Sequence, residues 1–398
     1  MRRGIDVRAM TTLSVGHLAV DFASGSVPAL IPFLAERFHL QYVMVGVLLL
    51  ASALSSSVAQ PLFGLWSDRR SAVWLIPTGA MVAALGTGGA AVAPLYGLVL
   101  ALVFVGGLGI GAFHPEAARF AAYASGRRRA SGMSYFTVGG NAGYAFGAFI
   151  TAQLVVWLGL SGGLVAMAPV AMVALALTRA VAHLPRRMVD VPDAPRVVVH
   201  DQRRAMGLLL AVIALRSVTW FALLAFVPLW LVSRGHSTSQ GAHALFLMLF
   251  AGALGTVVLG PVADRVGMRR TLVVTQALVA PLVLVLLYVG GIVGTISLML
   301  VGACVVGTYG VTVVLGQFYL PRHIGMASGL SIGLATGVGG IAAVVLGAVA
   351  DSVDLQTALI ISAAAPLLGV ACALRLPAPA YRPRDAPDAG QTLALPAD

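Results

Sequence analysis

The sequence contains 398 residues, of which 59% are hydrophobic and 10% are charged, and its formal net charge is +11. Soluble domains carry about a quarter charged residues, so this composition excludes a soluble protein and indicates an integral membrane protein. The positive charge does not indicate nucleic-acid binding, because the arginines occur in short clusters between apolar runs and not on one face.

Twelve apolar runs are each long enough to cross a membrane as an α-helix, which takes about 20 mostly apolar residues. We predict spans one to six at 11–34, 42–65, 72–93, 95–123, 131–158 and 161–182. We predict spans seven to twelve at 206–232, 241–262, 271–291, 294–319, 326–349 and 355–375. The first run follows Met1-Arg2-Arg3 as a signal peptide would, but His17 and Asp21 interrupt it, so we interpret it as a membrane helix. The expected fold class is an all-α integral membrane protein with twelve transmembrane helices.

One polar segment, 183–205, separates the two groups of six spans and is rich in proline, arginine and aspartate. We predict that it is a cytoplasmic linker between an N-terminal six-helix bundle, 1–182, and a C-terminal six-helix bundle, 206–376. The proline-rich end of the chain, 377–398, is predicted to be a disordered cytoplasmic tail.

Arginine clusters mark one side of the membrane. They precede span one, follow spans two, four and eight, occupy the linker and follow span twelve, whereas the loops of the opposite side offer only Arg37 and Arg234. Cytoplasmic loops of membrane proteins carry such an excess of positive charge. We therefore expect a multi-pass protein of the cytoplasmic (inner) membrane with both termini in the cytoplasm.

Two patterns in the first half return in the second half at nearly the same offset. Gly-Pro-Val-Ala-Asp264-Arg265-Val-Gly267-Met-Arg269-Arg270 has a looser copy in Gly64-Leu-Trp-Ser-Asp68-Arg69-Arg70-Ser71, and the two aspartates are 264 − 68 = 196 residues apart. The run that begins at Ala130 matches the run that begins at Ala327, with 327 − 130 = 197. Two unrelated patterns with one offset indicate an internal duplication, here a parallel repeat of the kind found in transporters.

The two loops with the repeated Asp-Arg pattern are predicted to form a gate. An aspartate at a helix end can face the positive N-terminal end of a neighbouring helix, and arginines can pair with carboxylates. Such contacts can hold one side of the protein closed in one state and break in another. An orientation signal alone would not need the aspartates. The predicted gating residues are Gly64, Asp68, Arg69, Asp264, Arg265, Gly267 and Arg269.

Ionisable residues inside two spans of the first half are candidate functional groups, because a charge within a membrane is costly. His17 and Asp21 are four residues apart in span one and therefore share a helix face. His114 and Glu116 flank Pro115 in span four, where the proline can kink the helix. We predict that the two carboxylates carry protons, because a carboxyl group can gain or lose a proton when its surroundings change.

The two histidines are predicted to bind substrate or to relay protons, with satisfied polar packing as the alternative. Arg216 is the corresponding charge of the second half, well inside span seven. The dipeptide Val27-Pro28 recurs as Val227-Pro228, an offset of 227 − 27 = 200, which places Arg216 at about the depth of His17. Arg216 is predicted either to attract an anionic substrate group or to neutralise a carboxylate in the cavity. The alternative is a buried ion pair that only holds helices in register.

Further residues on the spans that would line a cavity are candidates for substrate contacts, although each is as well explained by packing. They are Asn141, Tyr144, Trp220, Tyr309 and Gln317. Cys304 and Cys372 both lie in apolar runs and are interpreted as packing residues, not as a disulfide or a metal pair. No catalytic cluster and no Walker loop is present, so we expect neither an enzyme nor ATP-driven transport, and no cofactor or metal.

The repeated loop resembles the signature loop of the major facilitator superfamily, Gly-x-x-x-Asp-Arg-x-Gly-x-Arg-Arg. Four further motifs together resemble the fosmidomycin-resistance branch of that superfamily. They are His17-Leu-Ala-Val-Asp21, Gln60-Pro61-Leu-Phe-Gly64, Phe113-His114-Pro115-Glu116 and Val138-Gly139-Gly140-Asn141-Ala-Gly143. The resemblance implies a twelve-helix transporter in two pseudo-repeats, with spans one, four, seven and ten around a central cavity. It thereby implies that the ionisable side chains of these spans, Glu116 included, lie around one site at the middle of the membrane. The namesake of the branch exports a phosphonate antibiotic in exchange for protons.

The expected function is secondary active transport by alternating access, as proton-coupled efflux of small toxic compounds such as fosmidomycin-like antibiotics. The expected partners are a small-molecule substrate that can be anionic, protons and the lipid bilayer, with no nucleic acid, and the protein is expected to be a monomer. Span five departs from the antiporter glycine pattern, since Ala148 stands where a proline often follows. One alternative is a proton-coupled uptake symporter for an organic anion or metabolite. Another is a membrane scaffold or sensor on a transporter fold.

Overall fold

The computed structural model describes residues 5–69, 72–125, 129–181, 201–320 and 324–377. These residues form fourteen α-helices and no β-strand. The helices of the N-terminal half are α1 (Val7–Phe38), α2 (Tyr42–Arg69), α3 (Leu75–Val92), α4 (Tyr96–Ala124), α5 (Arg129–Leu158), α6 (Ser161–Ala166) and α7 (Ala168–Ala180). The helices of the C-terminal half are α8 (Arg203–Ser233), α9 (Thr238–Val266), α10 (Met268–Tyr288), α11 (Gly291–Gly307), α12 (Tyr309–Tyr319), α13 (Ile324–Ser352) and α14 (Leu355–Leu374).

All twelve predicted spans are present. Ten are single helices, the sixth consists of α6 and α7, and the tenth consists of α11 and α12. The twelve are long and apolar enough to cross a membrane, which confirms the all-α membrane fold. Only helices satisfy every backbone hydrogen bond within such a segment. Most helices extend beyond the apolar runs, as α1 does at both ends, because polar residues can continue a helix outside the apolar layer.

Two predicted segments lie almost entirely outside the described residues. Of the predicted linker, 183–205, the structure describes 201–205, and α8 already begins there at Arg203. Of the predicted tail, 377–398, it describes Pro377, whose carbonyl oxygen accepts a hydrogen bond of 2.7 Å from the Tyr319 hydroxyl. The bounds of the two bundles and the nature of the linker and the tail stay predictions.

Helix α5 packs against α1 through a stripe of glycines. A methyl group on Gly139, Gly143 or Gly147 would lie 2.5 Å or less from a backbone carbonyl oxygen of α1. Small residues at this spacing allow two helix backbones to approach closely. The contact lies within the N-terminal half, so the stripe in span five serves packing between neighbouring helices of one half.

One apolar core joins the two halves, and it lies at one end of the helices. We call the end where α1 begins and α14 ends the terminal end, and the opposite end the far end. The core at the far end, the shared core, contains Leu34 of α1 and Phe226 of α8 and therefore combines both halves. Two further cores lie nearer the terminal end, one around Phe113 in the N-terminal half and one around Leu315 in the C-terminal half.

Along α2 and α13 the halves are closest at the far end. A methyl group on Gly347, near the far end of α13, would lie 2.4 Å from a backbone oxygen of α2. The nearest α2 atom would be 3.0 Å away at Gly340, 3.8 Å at Gly337 and 3.5 Å at Gly333, and at Gly329 no described atom lies within 4 Å. The space between the halves therefore widens toward the terminal end.

At the far end, Asp351 of α13 fastens the start of α2. Its Oδ1 accepts a hydrogen bond of 2.7 Å from the amide of Tyr42, and its Oδ2 accepts one of 2.8 Å from the amide of Val43. A carboxylate at a helix N-terminus satisfies amides that lack intrahelical partners and interacts favourably with the helix dipole. This contact links the two halves beside the shared core.

Candidate functional site

Three ionisable side chains of the N-terminal half meet near the middle of α1. His17 and Asp21 lie one turn apart on α1, and His114 reaches them from α4. His17 Nε2 is 3.2 Å from Asp21 Oδ2, and His114 Nε2 is 3.3 Å from Asp21 Oδ1. We call these three residues the histidine–aspartate cluster. The spacing of His17 and Asp21 predicts their contact, whereas the arrival of His114 depends on how α4 packs on α1.

Both imidazole rings are held by backbone carbonyl groups. His17 Nδ1 lies 2.8 Å from the carbonyl oxygen of Phe136, and His114 Nδ1 lies 2.8 Å from that of Ile110. The ring of His17 also stacks on that of Phe136, with 4.1 Å between their centres. A carbonyl oxygen only accepts hydrogen bonds, so each Nδ1 carries a hydrogen.

This arrangement is stable only when the cluster holds additional positive charge. In a neutral imidazole with its hydrogen on Nδ1, Nε2 has only a lone pair. Both Nε2 atoms face oxygens of Asp21, which also have only lone pairs when the carboxyl group is ionised. The two contacts are attractive only when a proton, or another cation, lies between nitrogen and oxygen. The cluster can therefore take up and release positive charge.

The cluster is closed on one side and accessible on another. A methyl group on Gly140 of α5 would lie 2.4 Å from His17 Nε2 and 2.6 Å from Asp21 Oδ2, so α5 covers the pair directly. The His17 side chain is 9% exposed, whereas those of Asp21 and His114 are 18% and 25% exposed. Small molecules or ions can reach Asp21 and His114 without unfolding of the bundle.

Arg216 of the C-terminal half forms a second site near the middle of α8. It is 2% exposed and donates a hydrogen bond of 2.8 Å from Nη1 to Thr308 Oγ1. Its guanidinium carbon lies 4.9 Å from the ring centre of Tyr309, and Nη2 lies 3.5 Å from Thr312 Oγ1. We call these four residues the arginine site. Thr308 stands at the break between α11 and α12, and helix breaks at mid-depth are typical of binding sites in transporters.

The charge of Arg216 has no negative partner among the described residues. No carboxylate there forms an ion pair with it, and its polar contacts are hydroxyl groups and an aromatic ring. The sequence left two interpretations of Arg216, attraction of an anionic substrate group or neutralisation of a cavity carboxylate, and the choice between them stays a prediction. A buried charge without a partner is costly, so an anionic ligand would be bound strongly.

Each half contributes one of the two sites. His17 and Asp21 lie near the middle of α1, and Arg216 lies near the middle of α8. Tyr144 lies on α5 and packs against the shared core. The common depth of the two sites, which the sequence predicts from the offset between the halves, stays a prediction.

Glu116 does not join the histidine–aspartate cluster. It is fully buried and accepts hydrogen bonds from the amide of Ala72 at 3.1 Å and from Arg119 Nη2 at 2.7 Å. Its carboxylate is not part of the histidine–aspartate cluster. The expectation that Glu116 shares one site with Asp21 is therefore wrong. Glu116 lies two residues after His114 on α4, and residues two apart on a helix point about 200° apart. Its role in proton coupling stays a prediction.

The other predicted contact residues take different positions. Asn141 Nδ2 donates a hydrogen bond of 3.1 Å to Thr256 Oγ1 and so bridges α5 and α9 across the halves. Trp220 packs against the shared core. Sequence reasoning missed Thr308 and Thr312, although two threonines four residues apart in an apolar span would have been a usable signal. It also missed the contact of Gly140 with the cluster.

The predicted gate lies at the terminal end and is described in part. The side chains of Asp68, Arg69 and Asp264 lie outside the described residues, and Gly64 is half-buried. Gly267 ends α9 with a positive φ of 105°, a conformation that favours glycine. Arg265 is exposed, and Arg269 donates a hydrogen bond to the carbonyl oxygen of Leu374. Gating by these residues stays a prediction.

Comparisons with known proteins agree on one family. A family model described as the Major Facilitator Superfamily matches residues 13–344. The chain is 32% identical over 368 residues to the MFS-type transporter YfnC of Bacillus subtilis (strain 168), which is described as uncharacterized, with 90% of each chain covered. It is 32% identical over 365 residues to the fosmidomycin resistance protein of Escherichia coli (strain K12), again with 90% of each chain covered.

A solved structure shows the same fold at low identity. It is a bacterial homologue of the human lysosomal transporter Spinster in an inward-facing, unoccupied conformation, 13% identical in sequence, with a TM-score of 0.76. The match covers 94% of this chain and 97% of that one.

Proposed function

The chain belongs to the Major Facilitator Superfamily of secondary transporters, and we propose that it exports small anionic toxic compounds of the fosmidomycin type in exchange for protons. The histidine–aspartate cluster would carry the protons, and the arginine site would bind the anionic group of the substrate.

The observation that carries this proposal is the pairing of two unlike sites, each near the middle of a helix of one half. The cluster in the N-terminal half needs added positive charge, whereas the arginine site in the C-terminal half needs added negative charge. Binding of an anion beside Arg216 and release of protons from the cluster would each change the field that the other site experiences.

The space that widens between the two halves supports a proposal for the side from which the substrate enters. If the arginine-rich terminal end faces the cytoplasm, as the positive-inside rule predicts, then the space that widens between α2 and α13 opens to the cytoplasm. Substrate would enter from the cytoplasm, and closure at the terminal end would involve the predicted gating loops. Opening at the far end would break the contact of Asp351 with α2.

The name of the Escherichia coli relative supports the choice of substrate, since fosmidomycin resistance is what export of that compound would provide. A phosphonate is a compact dianion or monoanion, and a buried arginine is the side chain best suited to bind such a group. The protein is further proposed to work as a monomer in the cytoplasmic membrane.

The test is the accumulation of labelled fosmidomycin in cells with and without this protein, repeated after the pH gradient is collapsed. We expect the protein to lower accumulation, and we expect accumulation to rise again when the gradient is collapsed. Higher accumulation in the presence of the protein would instead support the uptake symporter. Equal accumulation in all cells would remove fosmidomycin as the substrate.

A further inference from the structure

The histidine–aspartate cluster has the composition of a transition-metal site. One ligand atom from each side chain, an imidazole nitrogen or a carboxylate oxygen, lies within 4.8 Å of the other two. Zinc sites with an open position commonly use three ligands of these types. Two imidazole ligands favour Zn²⁺ and its neighbours over Mg²⁺ and Ca²⁺, which prefer oxygen ligands. Spacing in the sequence does not reveal this set, because His114 comes from a different helix.

The distances bring the three side chains close to the arrangement that one ion needs. Ligand atoms around an ion with bonds of about 2.0–2.1 Å lie about 3.3 Å apart. His17 Nε2 is 3.2 Å from Asp21 Oδ2, and His114 Nε2 is 3.3 Å from Asp21 Oδ1, so the two histidines face different oxygens of one carboxylate. An ion bound by both Asp21 oxygens, or by one of them after a rotation of the carboxyl group, would complete the site.

The surroundings of the cluster are those of metal ligands. Histidines that bind metal ions usually donate the hydrogen of the other ring nitrogen to a carbonyl or carboxylate group, which fixes the ring and its lone pair. His17 and His114 both do so, through Nδ1, to the carbonyl groups of Phe136 and Ile110. Both lone pairs are thereby directed at the same carboxylate. The partial exposure of Asp21 and His114 leaves an entry path and an open fourth position.

We propose that His17, Asp21 and His114 bind one divalent transition-metal ion of the Zn²⁺ type, with the fourth position open to water or to an anionic oxygen. The ion supplies the positive charge that the two lone pairs and the carboxylate need. The ion would compete with the protons that the proposed function assigns to the same three residues, whichever the direction and the substrate of transport.

The experiment uses the full chain in detergent, purified through a tag that contains no histidine. Isothermal titration calorimetry measures Zn²⁺ binding, and visible absorption measures Co²⁺ binding. We expect one Zn²⁺ ion per chain and the intense visible absorption of tetrahedral Co²⁺. His17→Gln and His114→Gln should each weaken Zn²⁺ binding by at least about 100-fold, because each removes a ligand.

His243→Gln is the matched control. That histidine is exposed on α9, with its Nε2 3.5 Å from Gln153, and its replacement should leave Zn²⁺ affinity unchanged. Gly140→Ala is a second variant that keeps all three ligands but places a methyl group against them. It should weaken Zn²⁺ binding by about 10-fold or more. Size-exclusion chromatography and thermal unfolding without metal show that each variant is folded.

Two results would overturn the proposal. One is a folded wild-type chain that binds neither Zn²⁺ nor Co²⁺. The other is Zn²⁺ binding that survives the combined replacement of both histidines. Neither readout involves transport, so failure of the metal site and failure of the proposed export function are distinguishable.

Discussion

The two halves place different kinds of charge near the middle of α1 and of α8. The N-terminal half offers the histidine–aspartate cluster, whose members can gain or lose protons and are in part accessible. The C-terminal half offers Arg216, whose charge is permanent and whose side chain is almost completely buried. A duplicated unit has thus acquired a variable charge in one copy and a fixed charge in the other. The fold is shared between the copies, and the chemistry is divided between them.

Asp21→Asn should have the largest effect, because it removes the variable charge and leaves the fixed one. We expect complete loss of export driven by a pH gradient, while the affinity of the purified protein for fosmidomycin changes by less than about 3-fold, since the arginine site is intact. Transport into everted vesicles with and without an imposed pH gradient measures the first effect. Asp354→Asn, at the start of α14, is the control and should keep the response to the gradient. Gradient-driven export by the Asp21 variant would contradict the division of roles.

Arg216→Gln tests the fixed charge. Loss of a buried charge from a binding site costs about 2–5 kcal/mol, so the affinity for fosmidomycin should fall by at least about 30-fold. Equilibrium binding of labelled compound to the purified protein measures this change. Arg179→Gln, on the exposed end of α7, should bind as the wild-type protein does. An unchanged affinity in the Arg216 variant would show that the anion binds elsewhere.

Matched glycine substitutions extend the comparison from charge to packing. Gly143→Ala in α5 places a methyl group 2.1 Å from a carbonyl oxygen of α1 and should lower the free energy of unfolding by about 1–3 kcal/mol. The added methyl group of Gly329→Ala in α13 meets no described atom within 4 Å. Because alanine has a higher helix propensity than glycine, this change should raise the free energy of unfolding by up to about 1 kcal/mol. Thermal unfolding of the purified variants measures both. Equal destabilisation by the two would mean that α13 is as closely packed there as α5.

Thr312→Val should have the smallest effect and separates the contacts of Arg216. The contact of Thr312 with Arg216 Nη2 is 3.5 Å long and therefore weak, so we expect the affinity for fosmidomycin to fall by no more than about 3-fold. Thr308→Val removes the 2.8 Å contact and should cost more, about 10-fold. A larger loss with Thr312→Val than with Thr308→Val would show that the guanidinium is oriented differently when substrate is bound.

Most of the fold could be predicted from the sequence, because a membrane restricts the structures that a chain can adopt. Apolar length alone located all twelve spans, since each must satisfy its own backbone hydrogen bonds. The break at Met167 was not predicted, although Pro169 in the first turn of α7 was a usable signal for it. The break at Thr308 has no proline beside it and could not be located from the sequence.

The site was predicted as a set of residues but not as a geometry. His17, Asp21 and Arg216 were identified because charge inside an apolar span is conspicuous. The contact of His114 with Asp21 could not be read from spacing, since it joins two helices. The error over Glu116 was avoidable, because its position two residues after His114 already places the two on different faces of α4.

The balance between the fixed charge of Arg216 and the variable charge of the cluster decides how the protein responds to the membrane potential. A charge that moves between the two bulk potentials when the open side changes does electrical work of up to about 2.3 kcal/mol per 100 mV. With Asp21 ionised and both histidines neutral, the carboxylate opposes the charge of Arg216, and most of this work cancels. Each proton on the cluster then leaves one uncompensated positive charge. The voltage dependence of the conformational change would therefore report how many protons the protein carries.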